Sequence, residues 1–177
     1  VCHCGINIAG TVDVEAVTDY VRTLPDVAYA NNCLFACSTD QLLEIKNAIK
    51  TRNLNRVVVA SCTPRTHEPL FRKTLRDAGL NPSLFELANI REQDAWVHQG
   101  DPRAATQKAK VRLETAEEKL TQKQEDLVEL EAELETALQE IQAEHEAMAA
   151  ARETLEIGLE KTDISVAEAK LVWVPVA

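Results

Sequence analysis

Five cysteines carry most of the reactive chemistry in this chain: Cys2, Cys4, Cys33, Cys37 and Cys62, all within the first 62 of 177 residues. A thiolate is a nucleophile and a soft metal ligand, and a buried thiol is simply a small apolar side chain. Structural disulfides would need an oxidising compartment, and no secretory signal opens the sequence. Structural zinc usually sits between two Cys-x2-4-Cys knuckles, whereas the close pair here is Cys2-His3-Cys4 and the other thiols are scattered. A [4Fe-4S] cluster also takes four thiolates and is bulky enough to be held from several loops at once, so the spread of the cysteines over several loops favours it, with zinc as the alternative and spacing alone no proof. Cys62 alone could be a nucleophile activated by a following helix. A phosphatase-like loop would place an arginine six positions on, and residue 68 is Glu.

The elements that must position these thiols read as alternating strands and helices. Val1 looks like the end of an apolar strand, and Val14, Val17, Val21 and Leu24 recur at helical spacing after it. Residues 27–30 read as a second strand. Ser38 with Gln41 forms a capping box that opens a helix through Leu42, Ile45 and Ile49. The run 57–60 (VVVA) has the pattern of a strand buried on both faces, as in a parallel sheet. A helix over 68–78 closes at Gly79, a fourth strand covers 84–88, and another helix starts near Arg91. The order predicts an α/β fold, a small doubly wound parallel sheet of about four strands. In such sheets ligands sit beyond the carboxyl ends of the strands, where the cysteine loops fall.

Residues 1–10 (VCHCGINIAG), 57–71 (VVVASCTPRTHEPLF) and 79–98 (GLNPSLFELANIREQDAWVH) resemble the N-terminal domain of the A subunit of heterodisulfide reductase, over about residues 1–110. The resemblance implies a cytoplasmic iron–sulfur flavoprotein that takes part in flavin-based electron bifurcation. It implies a [4Fe-4S] cluster on Cys2, Cys4, Cys37 and Cys62, with other subunits of a heterodisulfide-reductase-like or hydrogenase-linked complex as partners. The family's FAD-binding domain follows the cluster domain. No Gly-x-Gly-x-x-Gly loop occurs in this chain, so the flavin site is expected to be absent from it and an electron-relay module to remain. Two positions depart from the family: Cys33 stands where relatives usually lack a cysteine, and Asp94 where some carry one. An extended backbone turns His3 away from its flanking thiols. Arg65 and Arg91, at strand ends, are candidates to donate to cluster sulfurs.

Charge and aromatic content divide the chain near residue 110. Residues 1–110 have net charge +1 and residues 111–163 net −11, and no aromatic residue lies between Trp96 and Trp173. No Gly or Pro occurs over 103–157, and Leu113, Leu120, Leu127, Leu134, Ile141, Met148 and Leu155 recur every seven residues. With these at position a, position d holds Ala116, Lys123, Leu130, Ala137, Glu144 and Ala151, a thin second edge. An acidic coiled coil with possible self-association is expected over 111–157. The alternative is a single solvated helix. Gly158 is expected to end it, leaving an apolar tail over 158–177 with a short strand. That tail and the coil are similar to the C-terminal end of large bacterial helicase-like ATP-binding proteins, without a Walker A loop. The two halves are therefore expected to derive from different proteins. Acidity argues against nucleic acid as a partner, and no apolar run is long enough to span a membrane. A chain starting at Val1 whose one methionine is Met148 is read as a fragment or processed product.

The function expected from all of this is iron–sulfur electron transfer within an oxidoreductase. A zinc-binding α/β module, or a coiled-coil assembly protein with an α/β head, is the rival reading.

Overall fold

The Cys2-His3-Cys4-Gly5 segment leads directly into a single helical turn, α1 (Ile6–Ala9), and then α2 (Val14–Val21), whose first turn is capped by Asp13 accepting from the Ala16 amide at 3.0 Å. In the computed structural model, which describes residues 1–171, the chain divides into two units, Val1–Asp126 and Leu127–Ala177. Half of the expected capping box forms: the Ser38 hydroxyl accepts from the Gln41 amide at the start of α3 (Thr39–Thr51), while the Ser38 amide donates to the Phe35 carbonyl and not to the Gln41 side chain. Next come β1 (Val57–Ser61), α4 (Pro64–Ala78) and β2 (Phe85–Asn89). α4 starts earlier than periodicity predicts because Thr63 caps it and Pro64 occupies the first turn, where its missing N–H costs nothing. Gly79, at φ 89°, ends it in the left-handed conformation. The helix expected near Arg91 is a single π-helical turn over Arg91–Ala95, and α5 (Pro102–Leu171) follows.

β1 and β2 pair in parallel, with Val57 opposite Phe85 and Ser61 opposite Asn89. On the other side of β1 the Cys2 amide donates to the Ala60 carbonyl at 2.8 Å, and Cys2 forms an isolated parallel bridge with Cys33. The lateral order is therefore the Cys33 segment, the Cys2 segment, β1, β2. That order steps sideways twice, as in a doubly wound sheet, and the α/β class expected from the sequence is what the structure shows. The strand count differs: among the described residues two full strands form where about four were expected. Val1 and Cys2 supply only one bridge, and residues 27–30 find no ladder partner. They line a cavity of about 330 Å³ together with Val57, Val58 and Val59.

Side chains alternate across the sheet and build a core on each face. Val59, Phe85 and Leu87 pack with Cys2, Ile49, Phe71 and Leu75 beneath α3 and α4. Ala60 and Ala88 pack with Ile8, Val12 and Val17 on the opposite face, and with Ala105, Ala109, Leu113 and Ala116 of α5. The small side chains of β1, β2 and α5 let these backbones approach closely. The first compact unit thus extends past the composition change near residue 110, because the first quarter of α5 closes its core. Two of the seven heptad residues, Leu113 and Leu120, are buried in that way. In the second unit Leu134, Ile141, Met148 and Leu155 are exposed.

Gly158 does not end the helix. Nothing approaches its Cα, and one glycine costs only about 1 kcal/mol relative to alanine, too little to stop a helix flanked by good helix formers. The extended segment expected over 163–176 is likewise helical as far as Leu171, with Ala167, Glu168, Ala169 and Lys170 favouring that state. The remainder, with the expected C-terminal strand, lies outside the described residues. Among the described residues no helix is long and apolar enough to cross a membrane.

Candidate functional site

Cys2 is 4% exposed and its sulfur is the most heavily bonded of the five. The amides of Cys4 and Ala36 donate to Cys2 Sγ at 3.2 and 3.3 Å, and the Leu34 carbonyl lies 3.8 Å away. A hydrogen bond from the Cys33 thiol, aided by those amides, outweighs burial and holds Cys2 down to about 6. Cys33, the donor in that pair, is pushed up by the same bond and by burial. The two residues are brought together by the β-bridge, so a cysteine that departs from the family pattern adjoins an expected ligand.

Cys4 lies where the chain turns. Its φ is 48°, and Gly5 follows at φ 54° and ψ −128°, a conformation that is essentially glycine-only. Two left-handed residues in succession swing the chain from the extended Cys2 segment into α1. His3 is turned away from both neighbours, with Nε2 3.0 Å from Asn32 Oδ1, as the extended backbone predicts. Cys37 sits in the turn just before the Ser38 cap, half-buried, and packs with Cys4 and Cys33 against the apolar cluster that holds Cys2.

Cys62 follows β1 immediately and precedes the cap of α4, 7% exposed. Burial pushes this thiol up; the nearby Arg91 cation opposes the rise, while Cys4 and Glu92 reinforce it. That direction is the opposite of the one an activated attacking thiol would need. Buried beside it, the Ser61 hydroxyl has no hydrogen-bond partner among the described residues.

Arg91 joins the two sides of the site. One guanidinium nitrogen, Nη1, donates to Cys4 Sγ at 3.6 Å, and Nε and Nη2 both go to Glu92 Oε1. The guanidinium also lies over the Trp96 ring, 5.0 Å from its centre. No hydrogen bond links Arg65 to any thiol among the described residues. Sequence reasoning found Arg91 from its place at a strand end. It missed the pair behind it: Asp94 is fully buried and takes two bonds from Arg112 of α5, at 2.8 and 2.9 Å. Eighteen residues separate the two, and nothing local in the sequence signals the π-helical turn that aims Asp94 inward.

Chemically, the site offers five thiols from three loops, amide donors on one sulfur and a guanidinium on another. Cys2 and Cys33 adjoin through their β-bridge, and Arg91, bonded to Cys4, also lies close enough to Cys62 to act on its charge. Among the described residues no group of three or more His, Cys, Asp and Glu side chains is arranged to hold a metal ion.

No protein-family model matches the chain. The A subunit of H(2):CoB-CoM heterodisulfide,ferredoxin reductase from Methanothermobacter thermautotrophicus is 55% identical over 122 residues, 68% of this chain and 18% of the relative. The second iron-sulfur A subunit of the CoB-CoM heterodisulfide reductase of Methanopyrus kandleri is 49% identical over 129 residues, 72% of this chain and 20% of the relative. A third relative, the A subunit of the ferredoxin/F(420)H(2)-dependent CoB-CoM heterodisulfide reductase of Methanosarcina acetivorans, is 51% identical over 109 residues, 62% of this chain and 14% of the relative. The chain thus spans a fifth or less of these relatives. A match of 129 residues also reaches beyond residue 110, where composition changes, in keeping with the packing of Leu113, Ala116 and Leu120 into the first unit. Over about two thirds of its length, this chain is homologous to a segment of the A subunit of heterodisulfide reductase.

Proposed function

We propose that this chain is the iron–sulfur electron-transfer segment of a heterodisulfide-reductase-A-like oxidoreductase, with Cys2, Cys4, Cys37 and Cys62 as ligands of a [4Fe-4S] cluster. What supports the reading is the adjacency of the cysteine-bearing segments at one edge of the sheet: Cys2 bridges Cys33 and its amide donates to Ala60 of β1, which Cys62 follows by two residues. The donor set fits: thiols are what such a cluster requires, and N–H groups on Cys2 and Cys4 sulfurs are the interactions that tune one. When bound, the cluster would accept and release single electrons. The chain's residues would hold it from three loops, bury Cys2 and Cys62 away from water, and place the Arg91 cation beside the Cys4 sulfur. Cys33, paired with Cys2, would remain a neighbouring thiol. FAD would belong to the rest of a longer subunit, and other subunits of a hydrogenase- or ferredoxin-linked complex would exchange the electrons, in the cytoplasm.

The test is anaerobic reconstitution of the full chain with iron and sulfide. About four iron and four sulfide per chain, with a charge-transfer band bleached by dithionite and lost in Cys62→Ser, would support the cluster. Zinc alone, or no metal, would remove it. The exposed seam Leu134, Ile141, Met148 and Leu155 would serve self-association of the second unit, and sedimentation of wild type against Ile141→Lys would test that. A concentration-independent monomer in both would end the idea.

A further inference from the structure

We propose that the buried Asp94–Arg112 pair is a positioning device that holds Arg91 against the Cys4 sulfur, so that α5 helps to set the reduction potential of the thiol site. The potential rests on the cluster reading above; the positioning does not.

The geometry runs from α5 to the sulfur in three steps. Arg112 projects from α5 and takes both carboxylate oxygens of Asp94 in a two-pronged pair, with Asp94 fully buried and Arg112 about one third exposed. A carboxylate in that state is bound to its partner, because breaking a buried pair from one side leaves an uncompensated charge. Asp94 belongs to the π-helical turn, whose wide backbone bonds run from the Ala95 amide to the Ile90 carbonyl and from the Trp96 amide to the Arg91 carbonyl. A single π turn is an uncommon conformation that surroundings must enforce, and it concentrates at functional sites. Here the enforcing contacts are the Asp94–Arg112 pair at one end and Asn89 Oδ1 accepting from the Glu92 amide at the other.

What the turn presents is Arg91. Its side chain is held by Glu92 below and Trp96 behind, which leaves Nη1 to reach Cys4. A cation beside a ligand sulfur favours the state of the site that carries one more electron, and so raises the potential. Because Arg91 is carried by the same turn as Asp94, loosening the pair would let the guanidinium drift from the sulfur.

The experiment compares wild type, Arg91→Gln, Arg91→Lys, Asp94→Asn, Arg112→Lys and the Arg91→Gln/Asp94→Asn double variant in the full chain. Two readouts are used: potentiometric titration of the reconstituted protein with dithionite, and hydrogen exchange of the Ala95 and Trp96 amides without iron. Arg91→Gln should shift the potential to more negative values with iron content retained, Arg91→Lys less so. Asp94→Asn should shift it the same way, and the double variant no further than Arg91→Gln, since both act through one contact. In hydrogen exchange, Asp94→Asn or Arg112→Lys should speed both amides about tenfold or more. A wild-type potential in Arg91→Gln, or additive shifts in the double variant, would overturn the effect on potential. Unchanged exchange in both pair variants would overturn the positioning. If wild type takes up no iron and sulfide, the cluster reading and the potential fall together and exchange alone decides the positioning. If Asp94→Asn does not fold, Arg112→Lys, which keeps the charge without the fork, carries the same comparison.

Discussion

At the scale of single residues, the site depends on backbone conformations and charges that only certain side chains supply. Gly5 takes a conformation that side chains with a Cβ avoid, although the nearest atoms to an added Cβ, on the Phe35 ring, are 3.6 Å away. The obstacle to Gly5→Ala is thus the chain and not the space. It should lower stability by about 1–3 kcal/mol in denaturant titration while leaving the fold intact. A second residue-scale consequence concerns acid. Lys73 and Lys46 both bond to Asp77 Oδ2, at 2.9 and 3.0 Å, and together hold this carboxylate down to about 2 against an ordinary value of 3.8. A group whose pKa is depressed in the folded state stabilises that state above its unfolded value, and the contribution disappears as pH falls through the folded value. Asp77→Asn should therefore lower stability at neutral pH and flatten its pH dependence between about 4 and 2. Acid titration followed by circular dichroism checks both. Because the carboxylate is exposed, the effect should shrink in high salt.

At the scale of elements, α5 does two kinds of work along one continuous helix. Leu120 is 2% exposed in the first unit, whereas Leu134, one further heptad pair along, is 61% exposed. Leu120→Ala should cost about 2–5 kcal/mol in equilibrium unfolding, and Leu134→Ala close to nothing for the monomer. The same contrast shows what was legible in the sequence. Leu113 and Leu120 were plain as heptad residues, but a seven-residue repeat states only that one stripe is apolar, not what covers it. The partners of Leu113 on the sheet face, Ala60 and Ala88, are too small to stand out as a docking surface. The capping residue Ser38, the apolar run of β1 and the stop at Gly79 were legible because each is decided by neighbours within a few positions. The π-helical turn and the missing ladder at residues 27–30 depend on contacts distant in the chain. At the site, the cysteine positions and Arg91 could be read from strand ends, while the Cys2–Cys33 bridge and the Asp94–Arg112 pair could not.

At the scale of the whole molecule, the end of the folding unit and the change in composition fall at different places. Charge and aromatic content change near residue 110, yet the first unit runs to Asp126. Arg112, Leu113, Ala116, Leu120 and Lys123 all act within it, the last through an ion pair with Glu86 of β2 at 3.1 Å. Cutting the gene where the chain turns acidic would keep every cysteine and remove Leu113 and Ala116 from the wall that covers Ala60, Ala88 and Ile90. Such a product should bind the hydrophobic dye ANS and lose near-ultraviolet circular dichroism, whereas one ending after Asp126 should melt cooperatively. A researcher who assayed the shorter piece would find exposed, oxidisable thiols on a loosened sheet and could mistake a faulty boundary for a protein without a cofactor.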